Sequence, residues 1–329
     1  MSAIILGEEE VVRHLPMGEC IEAMAAVLAA LARKEAEMPL RSVLRAEGSS
    51  GFFGMMPAYR GGSDPAYSIK AVCIFPGNPS RGLDSHQGVV VLFDGETGVP
   101  SAVLNASAVT AIRTAAVTAL ATRLLAREDA RTLAILGSGV QARAHVEALM
   151  HARPFQTVRI FSPNTEHANA LAEAAAETQS TTFEVAPDAR SAVEGADVVV
   201  TATSSREPVL ERDWLAPGTH VNAIGASVPS AREIDTATVA AAELFTDSRV
   251  SISNEAGEFR LAIEEGSIAG LEHVRAELGE VLVGTHPGRS EAEAITLFRS
   301  LGLGVEDLAA AELALANARR AGGGIEAQL

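Results

Sequence analysis

Residues Ile135 to His145 read ILGSGVQARAH. They complete an apolar run, TLAIL, and pass through Gly137-Ser138-Gly139 into a helix-forming run, QARAHVEALM. Strand, tight turn and helix in that order form a dinucleotide-binding unit. Gly137 permits the turn, and Gly139 lets the backbone come close to a pyrophosphate. The helix start then offers free N–H groups and a partial positive charge to the phosphates. Ala142 holds the third position of the fingerprint and is small enough for close packing of helix on strand.

Downstream the alternation continues. VRIFS, TFEVA, DVVVTAT, THVNAIG and AELFTDS follow as apolar β-prone runs separated by helical or polar segments such as NTEHANALAEAAAE. Apolar strands alternating with helices predict a parallel sheet covered on both faces, six strands in all, with ligands at the carboxyl ends of the strands. The motifs GSG, TATSS and AIGAS all fall at those ends. Upstream the pattern differs. Residues 10–36 are amphipathic and helical. From 38 to 106 the short runs RSVLRAE, GFFGMMPAY, YSIKAVCIF, GVVVLFD and PSAVLN are separated by turn residues, the pattern of an antiparallel meander. An Ala-rich helix over 110–127 follows. The last segment, from LFRS to ARRAG, reads as a glycine turn and a helix able to return to the first domain, and GGGIEAQL as a loose tail.

A chain of 329 residues exceeds one ordinary core, so two domains are expected. The fold class is α/β: a doubly wound parallel sheet plus a discontinuous α+β domain. A net charge of −16 argues against nucleic acid or an anionic membrane as partner. Cys20 and Cys73 are far apart and form no CxxC, which disfavours disulfides and zinc and fits a reducing cytoplasm. No metal-ligand spacing is present, no membrane span is expected, and Glu8, Glu9 and Glu10 interrupt any signal-peptide pattern.

Four cationic or proton-carrying residues of the first domain stand near strand or helix ends: Arg41, Lys70, His86 and Arg113. Lys70 begins the apolar run AVCIF, and Arg113 lies in the small, apolar helix face IRTAA. A cation inside an apolar run demands an anion. A substrate carboxylate or a cofactor phosphate is one answer, and Arg suits bidentate carboxylate binding. An internal salt bridge or a snorkelling side chain is the other.

The stretch from Lys70 to Arg127, followed by ILGSGVQARAH, resembles the ornithine cyclodeaminase/mu-crystallin family. The resemblance continues through GADVVVTAT, PGTHVNAIGAS, REID, ELGEVLVG and LFRSLGLGVEDLAAA. It implies an NAD(P)-dependent enzyme of small amino or imino acids, forming a homodimer. It also implies a substrate-binding and dimerisation domain from residues 1–115 with 302–329, around a central Rossmann domain of 116–301. By the same resemblance Arg41, Lys70 and Arg113 hold the substrate carboxylate, and Ser85, His86 and Arg113 touch cofactor or substrate. Gly137, Ser138, Gly139, Val140 and Gln141 form the pyrophosphate turn. Ser162 and Asn164 lie beside the adenosine ribose; Thr203, Ala223 and Gly225 are cofactor contacts; Ser300 and Leu301 lie near nicotinamide and substrate.

Two departures refine the expectation. Cyclodeaminases carry a proton-transferring Asp after the fifth strand, where this chain has Ser227 in Gly225-Ala226-Ser227. A hydroxyl cannot do a carboxylate's acid–base work near neutral pH. The ketimine-reductase branch carries this GAS, so reduction of an imino acid such as Δ1-pyrroline-2-carboxylate or Δ1-piperideine-2-carboxylate is expected. Catalytic roles then fall to Lys70, Arg113 and Ser227. Cyclodeamination, open-chain imino acid reduction of the alanine dehydrogenase kind, and non-enzymatic binding are the alternatives. At the end of the second Rossmann strand, Ser162-Pro163-Asn164 has neither the carboxylate that would favour NAD nor, with Pro163 in its slot, the arginine of NADP-preferring relatives, so NADPH or NADH is expected, with NADPH slightly favoured.

Overall fold

The computed structural model describes residues 2–225 and 227–328. The chain divides into two compact units, Met1–Ala116 with Gly302–Leu329, and Val117–Leu301.

The first unit is built on a mixed sheet. Its strands in chain order are β1 (Ser2–Leu6), β2 (Ala36–Glu37), β3 (Ser42–Leu44), β4 (Phe52–Arg60), β5 (Ala66–Ile74), β6 (His86–Asp94) and β7 (Pro100–Asn105). The five runs from 38 to 106 are the antiparallel meander β3 to β7 that their turn residues predict. The two ends of the chain differ from expectation. Ser2–Leu6 is a strand pairing in parallel with β7, and Ile325–Gln328, read as a loose tail, is a strand pairing antiparallel with β1. Such short strands carry too little pattern to be seen until a neighbour completes them. The predicted helix over 10–36 is broken at Pro16 into Glu8–His14 and Met17–Ala32. Along β5 the buried positions alternate, Ser68, Lys70 and Val72, so Lys70 shares the inner face with apolar neighbours. That face is covered by the helix Gly304–Ala321, which packs on β4, β5 and β6.

The second unit holds β8 (Thr132–Leu136), β9 (Thr157–Phe161), β10 (Thr182–Val185), β11 (Val198–Thr201), β12 (His220–Ala223), β13 (Glu243–Thr246), β14 (Val274–Glu277) and β15 (Thr296–Arg299). All are parallel, in the order β10-β9-β8-β11-β12-β15-β13-β14. The six predicted strands are present. Two more were not foreseen: β14, and β15, which inserts between β12 and β13. LFRS reads as the start of a turn, yet it is a fully buried strand. β8 lies between β9 and β11, where the strand order reverses, and its carboxyl end carries the Gly137-Ser138-Gly139 turn. That is where ligands bind open parallel sheets.

The helix Ala106–Leu125 is long and apolar enough to cross a membrane, but 72% of its apolar window is buried inside the protein, which identifies it as a core helix.

Two buried histidines sit in the second unit. His145 Nδ1 lies 2.7 Å from the Gln141 carbonyl and Nε2 lies 2.9 Å from Thr118 Oγ1. A carbonyl only accepts, so Nδ1 carries the proton and Nε2 receives the threonine hydroxyl. His220 lies between Thr296 Oγ1 and Asn222 Oδ1, at 2.8 and 3.2 Å. Burial pushes His145 down to about 4 and His220 down to about 3. Both are therefore neutral when folded, while the unfolded chain titrates near 6.5. The unfolded state binds the extra protons as pH falls through that window, so acid favours unfolding. The unfolding free energy from urea titration is expected to fall steadily below pH 6, by up to ~1.4 kcal/mol per histidine per pH unit. His220→Asn is expected to shallow this slope; an unchanged slope would remove His220 from the acid response.

Candidate active site

In the first unit Lys70 and Arg113 converge on one carboxylate. Lys70 Nζ lies 2.8 Å from Asp307 Oδ2 and 3.0 Å from Oδ1. Arg113 Nε donates to Asp307 Oδ1 at 2.9 Å, and Nη1 donates to Glu306 Oε2 at 2.9 Å. All four side chains are buried. Glu306 and Asp307 stand in the first turn of the helix Gly304–Ala321, where exposed amides and the helix dipole favour negative charge. Glu306 also accepts from its own helix's Leu303 N at 3.1 Å. The anion demanded by cations in apolar runs is thus partly internal. Sequence reasoning named neither Glu306 nor Asp307, although two acids opening an otherwise Ala-Leu-rich helix were a visible signal.

Arg41 joins the cluster through the backbone, its Nη2 donating to Gly302 O at 2.9 Å. Gly302 has φ 76°, and a Cβ there would stand 2.5 Å from Arg113 Nη1 and 2.7 Å from Nη2. Only glycine allows that left-handed turn and that approach together. Gly302→Ala is expected to displace the Arg113 guanidinium and raise the KM for a carboxylate substrate by about tenfold or more, since one charged hydrogen bond is worth ~1.5–3 kcal/mol. A KM within twofold of the parent would refute this contact's importance.

The electrostatics of the cluster set what it can bind. Lys70 and Arg113 face two carboxylates, Glu306 and Asp307, and Arg41 stands beside them on Gly302 O. The guanidiniums of Arg41 and Arg113 and the Lys70 ammonium suit the binding of a carboxylate. Burial pulls the Lys70 ammonium down to about 8, opposed by Asp307 and assisted by Arg113. Burial pushes the Asp307 carboxyl up, but Lys70 and Arg113 outweigh it and hold the group below the ordinary carboxylate range. The neighbouring Cys20 thiol is pushed up to about 12 by burial and is inert as a nucleophile. Ser85 and His86 stand at the exposed start of β6, with Ser85 Oγ 3.0 Å from His86 Nδ1 and Asp84 Oδ1 accepting from His86 N at 2.9 Å.

The second unit carries the dinucleotide-type features. Gly137 has φ 131°, and a Cβ there would meet Ala202 O at 2.4 Å, so this turn is closed to any other residue. Gly139 precedes the helix Val140–Met150 as its N-cap in extended conformation. A Cβ on it would meet nothing within 4 Å, so the space beside it is open. Val140 is 60% exposed, an apolar side chain left open at the head of that helix. Gln141 Oε1 and Ser300 Oγ are buried without a hydrogen-bond partner. Room above the glycine turn, an uncovered apolar residue and two unsatisfied polar atoms fit a bound dinucleotide.

Ser138 Oγ donates to Ser162 Oγ at 2.9 Å, joining the turn to the end of β9. Asn164 Oδ1 accepts from His167 N at 3.0 Å and caps the helix Thr165–Ala176, so that oxygen is engaged in holding the loop. Ser300 N donates to Ala223 O at 3.2 Å, and Leu301 N donates to Asp247 Oδ2 at 2.6 Å. Ser227 is half-buried; Ala226 beside it lies outside the described residues. Thr203 and Gly225 meet through Glu233, which sequence reasoning passed over inside the REID string. Its carboxylate accepts from Thr203 N at 2.6 Å, Thr203 Oγ1 at 2.7 Å, Thr201 Oγ1 at 2.9 Å and Gly225 N at 2.6 Å.

A family profile described as ornithine cyclodeaminase/mu-crystallin family matches residues 1–322. The chain belongs to this family. It is 39% identical over 275 residues to the ketimine reductase mu-crystallin of Mus musculus, covering 84% of this chain and 83% of that one. Among solved structures it is similar to the Δ1-pyrroline-2-carboxylate reductase of Thermococcus litoralis, in complex with NADH and L-proline. There the identity is 34%, the TM-score 0.94, and the coverage 98% of this chain and 99% of that one. It is also similar to a dimeric archaeal alanine dehydrogenase with bound NAD, 33% identical with a TM-score of 0.94 over the whole of both chains.

Proposed function

We propose that this chain is a reductase of small α-imino acids that uses a nicotinamide dinucleotide, with cyclic ketimines such as Δ1-pyrroline-2-carboxylate and Δ1-piperideine-2-carboxylate as substrates. The observation that carries it is the convergence of the buried Lys70 and Arg113 on Asp307, with the half-buried Arg41 held beside them on Gly302 O. Arg41 and Arg113 bind the carboxylate and fix the imine carbon beside it. Lys70, an ammonium below pH 8, gives its proton to the imine nitrogen, and Asp307 keeps that ammonium oriented. When bound, the dinucleotide supplies the hydride. Gly137, Ser138, Gly139, Val140 and Gln141 cradle its pyrophosphate, Ser162 and Asn164 line the ribose end, and Thr203, Ala223, Gly225 and Ser300 line the nicotinamide end. Ser227 hydrogen-bonds substrate or nicotinamide amide.

Both NADPH and NADH are accepted in this reading, with NADPH favoured, because Ser162-Pro163-Asn164 presents no carboxylate to repel a 2′-phosphate. The homodimer is part of the same reading. It is supported by apolar side chains left exposed on the first unit's strands, among them Ile5, Leu44, Tyr67 and Ile325, and by the dimeric state of the archaeal relative.

The test is a panel of cyclic and open-chain imino acids with NADPH and NADH, read as loss of reduced-cofactor absorbance. Cyclic ketimines are expected to be reduced with the highest kcat/KM. Ammonia release from ornithine without net cofactor turnover would overturn the reading in favour of cyclodeamination. Turnover confined to pyruvate with ammonia would overturn it in favour of alanine dehydrogenase chemistry.

A further inference from the structure

Glu233 is fully buried at the carboxyl ends of β11 and β12, and its carboxylate takes four hydrogen bonds from two threonine hydroxyls and two backbone amides. Gly225 is exposed and Thr203 half-buried, so their outer sides face solvent while both are tied from beneath. The approach is tight: a Cβ on Gly225 would stand 2.1 Å from Thr203 O and 2.6 Å from Glu233 Oε1. A second carboxylate continues the network. Glu258 Oε1 accepts from Glu233 N at 3.2 Å, and its Oε2 accepts from Arg299 Nε at 3.1 Å. Arg299 Nη1 in turn donates to Ala223 O at 3.0 Å. One chain of bonds thus joins the ends of β11, β12 and β15.

Burial pushes the Glu233 carboxyl up, and the bonds from Thr203 and Gly225 oppose it. An acid held by neutral donors is an expensive way to tie two loops, since apolar packing or a neutral amide avoids the desolvation. What the carboxylate adds is geometry: two oxygens accept from both loops at once and leave each loop one position.

We propose that Glu233 is a positioning residue for the cofactor, holding Thr203 and Gly225 where a nicotinamide dinucleotide meets the ends of β11 and β12. The inference rests on the dinucleotide reading of this unit. Glu233 touches no ligand; it acts through the two loops.

The test is binding of NADPH and NADH to the full chain without substrate, by calorimetric titration, beside urea unfolding. Glu233→Gln keeps the size and one acceptor oxygen, but turns an N–H₂ toward donors that need an acceptor. It is expected to raise the cofactor Kd by about tenfold or more. The cofactor KM is expected to rise in parallel, with the substrate KM at saturating cofactor unchanged. A Kd within twofold of the parent, with only the urea midpoint lowered, would overturn the proposal and leave Glu233 a stabilising residue. Should Glu233→Gln fail to fold, Thr201→Val removes one donor from within β11. It is expected to raise Kd severalfold, and an unchanged Kd would again overturn the proposal. If the parent protein binds neither dinucleotide, the dinucleotide reading itself falls, an outcome distinct from equal binding by parent and variant.

Discussion

Lys70→Met is expected to lower kcat for imino acid reduction by about 10²–10⁴, the range contributed by a positioned proton donor. Methionine keeps the length and apolar stem of the lysine among Ser68, Val72 and the covering helix, so the variant isolates the ammonium. The parent's pH profile carries the same information. In the proposed mechanism the acid form of Lys70 is the active one, and it is lost as pH rises through about 8. kcat/KM is therefore expected to be level below that pH and to fall about tenfold per unit above it. In Lys70→Met this alkaline limb is expected to vanish from the residual rate. Single-turnover oxidation of the reduced cofactor, followed from pH 6 to 10, measures both. A rate within threefold of the parent would remove Lys70 from the chemistry. A limb persisting in the variant would assign it to another group.

Asp307→Ala is expected to have the largest effect on stability. It leaves Lys70 and Arg113 buried without the carboxylate they share, and removing one partner of a buried ion pair costs ~3–5 kcal/mol. Asp307→Asn keeps the shape and isolates the charge. Asp307 raises the Lys70 pKa, so its loss shifts the ammonium to lower pH, and the alkaline limb of the rate profile is expected to move to more acid values. Urea unfolding and the pH–rate profile of Asp307→Asn together test this. An unaltered midpoint with an unaltered limb would show that Lys70 and Arg113 do not depend on Asp307.

Much of this protein is legible in order along the chain, because the deciding signals are local. TLAIL running into Gly137-Ser138-Gly139 and a helix needs only neighbours in sequence, and the same holds for the turn-separated runs of the meander β3 to β7. The strand Thr296–Arg299 has the opposite character. Its four residues become a strand only because β12 and β13 leave a slot between them for it. The chain ends are similar: Ser2–Leu6 pairs with β7, and Ile325–Gln328 pairs with Ser2–Leu6, at the opposite end of the chain.

The site divides the same way. Sequence alone showed Lys70 and Arg113 as cations in apolar runs and the glycine turn as the opening of a helix; the place of Ser227 came from the family resemblance. Only the tertiary structure decided which anions answer those cations. Asp307 lies 237 residues beyond Lys70, and Glu233 reaches across 32 residues to Thr201. The physical reason is the cost of burying charge. A buried ion must find its counter-charge in space, and the packing of a covering helix on a sheet, not distance along the chain, determines which residue that is.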